Sequence, residues 1–576
     1  MLRLPPFPTT GDVQKALGWK PAPLPPGKYE FALVLGGTVS AGAYTAGAID
    51  FLIEALDCFD TEKEKSGLPY HDITLKVVTG TSGGAVVAAI MARALAYDFP
   101  SHFLGAPPIA AGQAGNPLYD IWVKELDLAA MLDTSDIAAS RSLTSLLNVT
   151  PINNGAHQVE TYPGTLAAAS KPRRWVGAPL TVILTHTNLT GLPVRIDFGQ
   201  NLSMSFVTHA DYGRFAVAYP WQEDIPPPQP YEFSLAFPGQ KQQDGWSIFG
   251  DFAVASAAFP LAFIPRDLHR PLLHYAYRAV SASLEPSTES DLWVPSYDWT
   301  SVLNDTNYIT YGNISYSTLD GGMCDNEPIE LGRTALVGLL HRNPRDGTEA
   351  NRSVVLIDPF HGETDLNAFP ITGLLQTGGA AITAAMQQGN YSTSDLVLAL
   401  DPSIYSRYML SAERDGLLGG KALATAGLSA FMGFTCEAFR EHDYYLGRQN
   451  CQTFLRKIFR LPADNKVFDR WREAHIDPTP FRNEKGELPL IPLFGPASQP
   501  EGRKPWPYKA LDPASLRPAI EKRVDAVINT ELPDNFLGHL LASGVDLLAG
   551  GKAADYVLGL IQNSLEASNL LPKSSK

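Results

Sequence analysis

Cysteine is scarce in this chain. Its four cysteines, Cys58, Cys324, Cys436 and Cys451, are too scattered over 576 residues for a disulfide framework, and no pair has C-x-x-C spacing. A reducing compartment fits this usage. A basic cluster is also missing. Forty-five Lys and Arg face 60 Asp and Glu, a net charge of −15, and nothing in the pattern would neutralise a row of phosphates, so no nucleic-acid partner is expected. Neither H-x-x-x-H nor a carboxylate cluster suggests a metal. An apolar leader is absent, because Pro5, Pro6 and Pro8 interrupt the N-terminus. Long hydrophobic runs are missing too. The uncharged stretches 368–394, 422–436 and 536–545 are either diluted by Gly, Gln, Thr and Ser or shorter than the roughly 20 apolar residues of a span. They are expected as packed helices, and the protein as cytoplasmic.

What the chain does have is a large apolar fraction, 45% hydrophobic with 10% aromatic, ample for a buried core. Residues 73–90 read I-T-L-K-V-V-T-G-T-S-G-G-A-V-V-A-A-I, an apolar β-branched run that breaks at Gly80 and resumes with small residues. That is a strand, a sharp turn and a helix. Ser82 is the centre of a G-x-S-x-G pattern from Gly80 to Gly84, in which the glycines permit a tight turn that pushes the hydroxyl out at the helix N-terminus. Unpaired N–H groups and the helix dipole favour negative charge there. The ordinary alternative is an N-cap serine.

Residues 1–28 are rich in proline and read as an extended segment. A buried strand at 31–35, a loop at 36–42 and a helix at 43–56 make one β-loop-α unit, and the Ser82 unit makes a second. Alternation of this kind predicts an α/β fold with a mostly parallel central sheet flanked by helices. Further strands are expected at 180–185, 314–319 and 353–357, with helical patterns at 118–132 and 252–262. Insertions are expected near 198–248 and 268–312 within a domain spanning 29–364. Beyond about 365 strand patterns disappear, and 365–576 reads as a mainly helical extension with a polar linker at 461–515.

A serine hydroxyl becomes a useful nucleophile only when a base takes its proton and donors stabilise the oxyanion. The glycine-bearing loop 36–42, after the first strand and before a helix, is placed to offer backbone N–H groups. It is not a dinucleotide fingerprint, because Thr38 and Val39 interrupt G-x-G-x-x-G, nor a P-loop, because Ala43 and Tyr44 follow Gly42. Asp320 ends a strand and precedes Gly321 and Gly322, a location where ligands collect in open α/β sheets. Partial desolvation there would raise its pKa towards that of a base. Taken singly, a D-G-G is a turn.

Together these residues resemble the patatin-like phospholipase family, in its bacterial form with a long helical extension. Leu33 to Gly37, Gly42 to Tyr44, Ala46 and Gly47 are similar to the family's first strand, oxyanion loop and first helix, and Gly80 to Gly84 to its nucleophile elbow. Asp320, Gly321 and Gly322, followed by Asn326, Pro328 and Ile329, resemble its D-G-G with a trailing N-x-P. The segments 187–191 and 255–260 also look like family segments in order. The resemblance implies a lipid acyl hydrolase with Ser82 as nucleophile and Asp320 as general base, without histidine, cofactor or catalytic metal. Its substrates would be fatty acyl esters of phospholipids or related lipids, and its oxyanion donors the N–H groups of Gly37, Thr38 and Val39.

One departure stands out. The family loop carries three glycines and then a basic residue two positions on, and here the aligned residues are Gly37, Thr38, Val39, Ser40 and Ala41. A β-branched Val39 disfavours φ > 0, so the loop is expected on another path. Two rivals remain. The order Ser82, Asp320, His361 also satisfies an α/β-hydrolase triad. The altered loop also suits a non-catalytic fold that binds lipid or protein. The apolar stretch 417–434 is expected as a buried helix, with peripheral membrane contact as its alternative. In the segment 440–448 a structural Asp443–Arg448 ion pair is expected.

Overall fold

The computed structural model describes residues 7–140, 143, 145–199, 202–237, 245–281, 286–297, 309–310, 312–361, 393–531 and 550–573. Around its centre run five parallel strands, in spatial order β3 (Val176–Gly199), β2 (Asp72–Gly80), β1 (Lys28–Leu35), β7 (Arg352–Ile357) and β8 (Arg407–Leu410). The α/β reading with a mostly parallel sheet is what the chain adopts. Strand β1 is buried over nearly its whole length because helices cover both faces of the sheet. Phe31, Leu33 and Leu35 face one core, whereas Ala32 and Val34 face the other. Burying such aliphatic and aromatic side chains contributes about 1.5–3 kcal/mol each.

After an N-terminal helix α1 (Thr10–Leu17), the first face is covered by α2 (Gly42–Ser66) and α3 (Gly83–Ala94), and the second by a helix at Ile329–Val337. Helix α3 starts so close to β1 that Gly84 has no room for a Cβ beside the Leu35 carbonyl. A later helix, Glu437–Lys457, lies against α2 through Gly447 and Gly47, each of which faces a tyrosine carbonyl of the opposing helix. Among the described residues one helix, Val39–Ser66, is long and apolar enough by composition to cross a membrane, and 89% of its apolar window is buried. It is the central core helix.

Strand β3 continues past β2 and pairs with β4 (Leu202–Val217) in a long antiparallel hairpin. The insertion expected near 198–248 therefore begins with a strand of the same sheet. Strand β5 (Arg266–Pro271) pairs with β6 (Asn313–Leu319), and β6 runs antiparallel to the extension of β3, with Leu319 opposite Thr187. Strand β6 thus reaches the carboxyl edge of β2 from the opposite direction to the parallel strands, and delivers Asp320 there.

Several expectations are corrected. Residues 10–17 form a helix rather than an extended lead, nucleated by a capping box in which Thr9 and Asp12 satisfy each other's backbone N–H groups. Strand β8 lies beyond residue 365, where no strand was expected, because four residues between turns carry little periodic signal. The helix expected at 252–262 is Trp246–Ser256. Residues 417–434 form a short hairpin strand, turns and two 3-10 segments rather than one helix. Leu428, Ser429 and Ala430 all have positive φ, which breaks any helical run there. Asp443 and Arg448 do not pair. Asp443 accepts from Thr425 and from the Ala424 N–H, while Arg448 binds Asp50, Glu54 and Glu501. Of the expected helices, 368–392 and 536–545 lie outside the described residues, while Thr393 and Ser394 begin the helix Thr393–Leu400.

Candidate active site

Ser82 ends the turn after β2 and caps α3, with φ 52° and ψ −127°. This strained conformation turns the chain sharply enough to separate the side chain from the strand it follows. Its Oγ donates to Asp320 Oδ2 at 2.6 Å. Its N–H donates to Ser256 Oγ at 2.8 Å. Ser256 is wholly buried at the end of its helix and acts as a positioning residue for the turn. The sequence offered only its presence in the 255–260 segment as a signal. The neighbouring Thr81 hydroxyl bonds Thr185 Oγ1 at 2.6 Å and donates to the Asp325 carbonyl at 2.9 Å, which ties the turn to the segment following Asp320.

Asp320 is fully buried, and its Oδ1 accepts the Gly322 N–H at 2.8 Å. Gly321 and Gly322 belong to a short 3-10 turn that closes this bond. Burial pushes the carboxyl up from its ordinary 3.8 to about 6, with the hydrogen bonds from Ser82 and Gly322 opposing the rise. Among the described residues no cation pairs with Asp320, which is a buried carboxylate held by the Ser82 hydroxyl and the Gly322 N–H. Such a group accepts a proton near neutral pH.

The loop after β1 approaches the same place. Gly37, expected to offer its N–H, already donates it to the Asn326 carbonyl at 3.2 Å. The N–H groups of Thr38 and Val39 have no acceptor among the described residues. Val39 takes φ 46°, a conformation its β-branching was expected to disfavour. The cost of such a conformation is about 1–3 kcal/mol, offset by bonds that over-determine the neighbouring residue. Ser40 provides them: its N–H and hydroxyl both donate to Ala430, and its Oγ accepts the Gly433 N–H at 3.0 Å. Thr38 Oγ1 is buried against Gly83 without a hydrogen-bond partner among the described residues.

Ser82 and Asp320 open into a cavity of 50 Å³ walled by Val86, Trp122, Val159, Phe259, Phe263 and Phe434. It is apolar and narrow, well below the roughly 300–1,000 Å³ of sites for drug-sized ligands. Phe434 comes from the segment beyond residue 364, and Phe431 beside it packs edge-on against Phe259 at 5.0 Å. Arg440 fastens this wall by donating to the carbonyls of Val123 and Gly433. No histidine lines the cavity among the described residues. The carbonyl of His361 packs instead against Gly419. His186 lies buried against Tyr316 and Asp211, and burial depresses its pKa.

The chain is an α/β protein in which a serine on a strand-to-helix turn is hydrogen-bonded to a buried carboxylate at the carboxyl edge of a parallel sheet. It belongs to the same family as the uncharacterised protein y4iI of Sinorhizobium fredii, with which it is 30% identical over 546 residues, covering 86% of this chain and 75% of that protein. No family model matches the chain. Among solved structures, VipD from Legionella pneumophila aligns over 94% of this chain and 88% of its own with 11% identity and a TM-score of 0.23, too little shared geometry for residue roles to be carried across.

Proposed function

We propose that the protein is a serine–aspartate dyad acyl hydrolase that cleaves fatty acyl esters of phospholipids or related lipids through an acyl-serine intermediate. The observation that carries this reading is the 2.6 Å hydrogen bond from Ser82 Oγ to the buried, cation-free carboxylate of Asp320. In the reaction Asp320 takes the hydroxyl proton as Ser82 Oγ attacks the ester carbonyl. The developing oxyanion takes the N–H groups of Thr38 and Val39, and the departing alcohol receives the proton from Asp320. Water, activated by the same carboxylate, then releases the fatty acid and restores the Ser82 hydroxyl.

The apolar lining of the cavity suits an acyl chain, and the motif resemblance to patatin-like phospholipases supplies the lipid class. Its small volume means that Trp122 or Phe434 must move aside for a long chain. The test is hydrolysis of a short-chain nitrophenyl ester and a phospholipid by wild type, Ser82→Ala, Asp320→Asn and His361→Ala. Turnover lost in the first two variants and kept in the third supports the dyad. Loss in the His361 variant points to a triad, and no wild-type turnover on any acyl ester returns the protein to a binding role.

A further inference from the structure

A second pocket, of 510 Å³, shares no lining residue with the Ser82 cavity. It lies between the helix Ile329–Val337, strand β4, the loop after β5 and the residues following the N-terminal helix. Its volume falls within the range of small-molecule sites. Arginine is its most frequent charged residue: Arg214, Arg270, Arg278, Arg333 and Arg342 all line it.

Arg270 and Arg278 both bind one carboxylate, Asp211, and both also donate to the Tyr212 carbonyl. Two guanidinium groups on one buried acid leave an excess of positive charge inside the protein, a costly arrangement unless an anion joins it. Two of the pocket's other arginines have acids of their own, and the carboxylates of Asp325 and Glu327 also line it. Glu232 holds Arg214, Glu330 is shared by Arg333 and Arg407, and Glu327 accepts from Asn326. Arg342 is exposed and has no partner among the described residues.

Two buried polar atoms of the pocket residues lack a hydrogen-bond partner among the described residues, Arg270 Nε and His274 Nδ1. Burial first, and then Arg270 and Arg278, hold the His274 pKa down to about 3, so its ring is neutral at pH 7 and registers the positive potential. Aromatic faces fix the guanidinium planes: Arg278 lies 4.4 Å from the Tyr212 ring and Arg214 5.3 Å from that of Tyr231. A pre-oriented fork of N–H donors matches the oxygens of a phosphate better than a lone ammonium would.

From this arrangement we propose that the pocket binds a phosphate-bearing ligand, with the phosphate received by Arg270, Arg278 and Arg342 and the rest of the molecule against Trp19 and Tyr277. The ligand is either a soluble phosphate ester or the phosphate of an anionic lipid. Binding is independent of acyl hydrolysis, so it holds whether or not Ser82 is a nucleophile.

The experiment is calorimetric titration of the full-length Ser82→Ala protein with phenyl phosphate, beside co-sedimentation with phosphatidylcholine vesicles that contain or lack phosphatidic acid. Phenyl phosphate is expected to bind with a Kd of about 1 mM or below. Arg342→Glu and Arg278→Gln should each weaken it about tenfold or more, as loss of a charge-assisted hydrogen bond does. Arg342→Glu alters only an exposed side chain, so its thermal midpoint should match the parent's. Co-sedimentation that requires phosphatidic acid and is lost in Arg342→Glu, without binding of phenyl phosphate, would assign the site to a lipid phosphate. Absence of both kinds of binding, or binding that survives both substitutions, overturns the proposal.

Discussion

Ser40 directs both its backbone N–H and its hydroxyl to the carbonyl oxygen of Ala430, 390 residues further along the chain. The contact joins the loop beside Ser82 to a segment in which Leu428, Ser429 and Ala430 all take positive φ. A wall of the Ser82 cavity is therefore built by chain beyond residue 364, through Phe434.

Ser40→Ala is expected to cost about 1–3 kcal/mol of stability, because it leaves the buried Gly433 N–H without its acceptor. Urea denaturation of the two proteins measures this. The same change should lower ester turnover, since Val39 then loses the anchor that holds its strained φ.

Thr38 occupies a position where the related motif has glycine, and its buried hydroxyl is unpartnered among the described residues beside Gly83. If that hydroxyl donates to the oxyanion, Thr38→Val will lower kcat by about 10²–10³. Stability should stay level or rise, because an unsatisfied buried polar group has been removed. Paired kinetic and thermal measurements separate this outcome from simple misfolding.

The Asp320 carboxyl gives a pH signature. In the proposed reaction it must be ionised, so kcat/KM should fall as the pH drops through about 6, its elevated value. Stability moves in the opposite sense. A carboxyl that titrates near 6 when folded and at 3.8 when unfolded favours the folded state below pH 3.8, and that advantage is lost as the pH rises through about 6. The difference is about 3 kcal/mol. Asp320→Asn should therefore gain stability relative to wild type between pH 4 and pH 7, as followed by denaturant titration at each pH.

Arg448 is buried among Asp50, Glu54 and Glu501, and Asp50 also receives Tyr444 and Asn116. Arg448→Ala strands these acids in the interior, and a loss of about 3–5 kcal/mol is expected. The equilibrium unfolding midpoint reports it directly.

Much of this site was legible in the sequence. Both β-loop-α units show because each places a β-branched run before glycines and small residues, and Asp320 shows because two glycines follow a strand. What escaped reading depends on distance along the chain. Nothing near Arg448 announces Asp50, which lies 398 residues away and meets it only where Gly447 lets two helices touch. Ser256 looks like any small residue in a helix until Ser82 N–H is found on its hydroxyl. The segment 417–434 is apolar enough for a helix, yet backbone conformation and the bonds from Ser40 decide otherwise. The direction of β6 was hidden as well, since a strand's local pattern does not say which way it runs in its sheet.

The most direct measurement is mass spectrometric mapping of the adduct formed with a fluorophosphonate ester. The dyad account predicts one covalent adduct, on the peptide carrying Ser82, absent in Ser82→Ala and formed about 10²–10⁴ times more slowly in Asp320→Asn. An unmodified Ser82 in folded wild-type protein, or a rate that ignores Asp320, would contradict it.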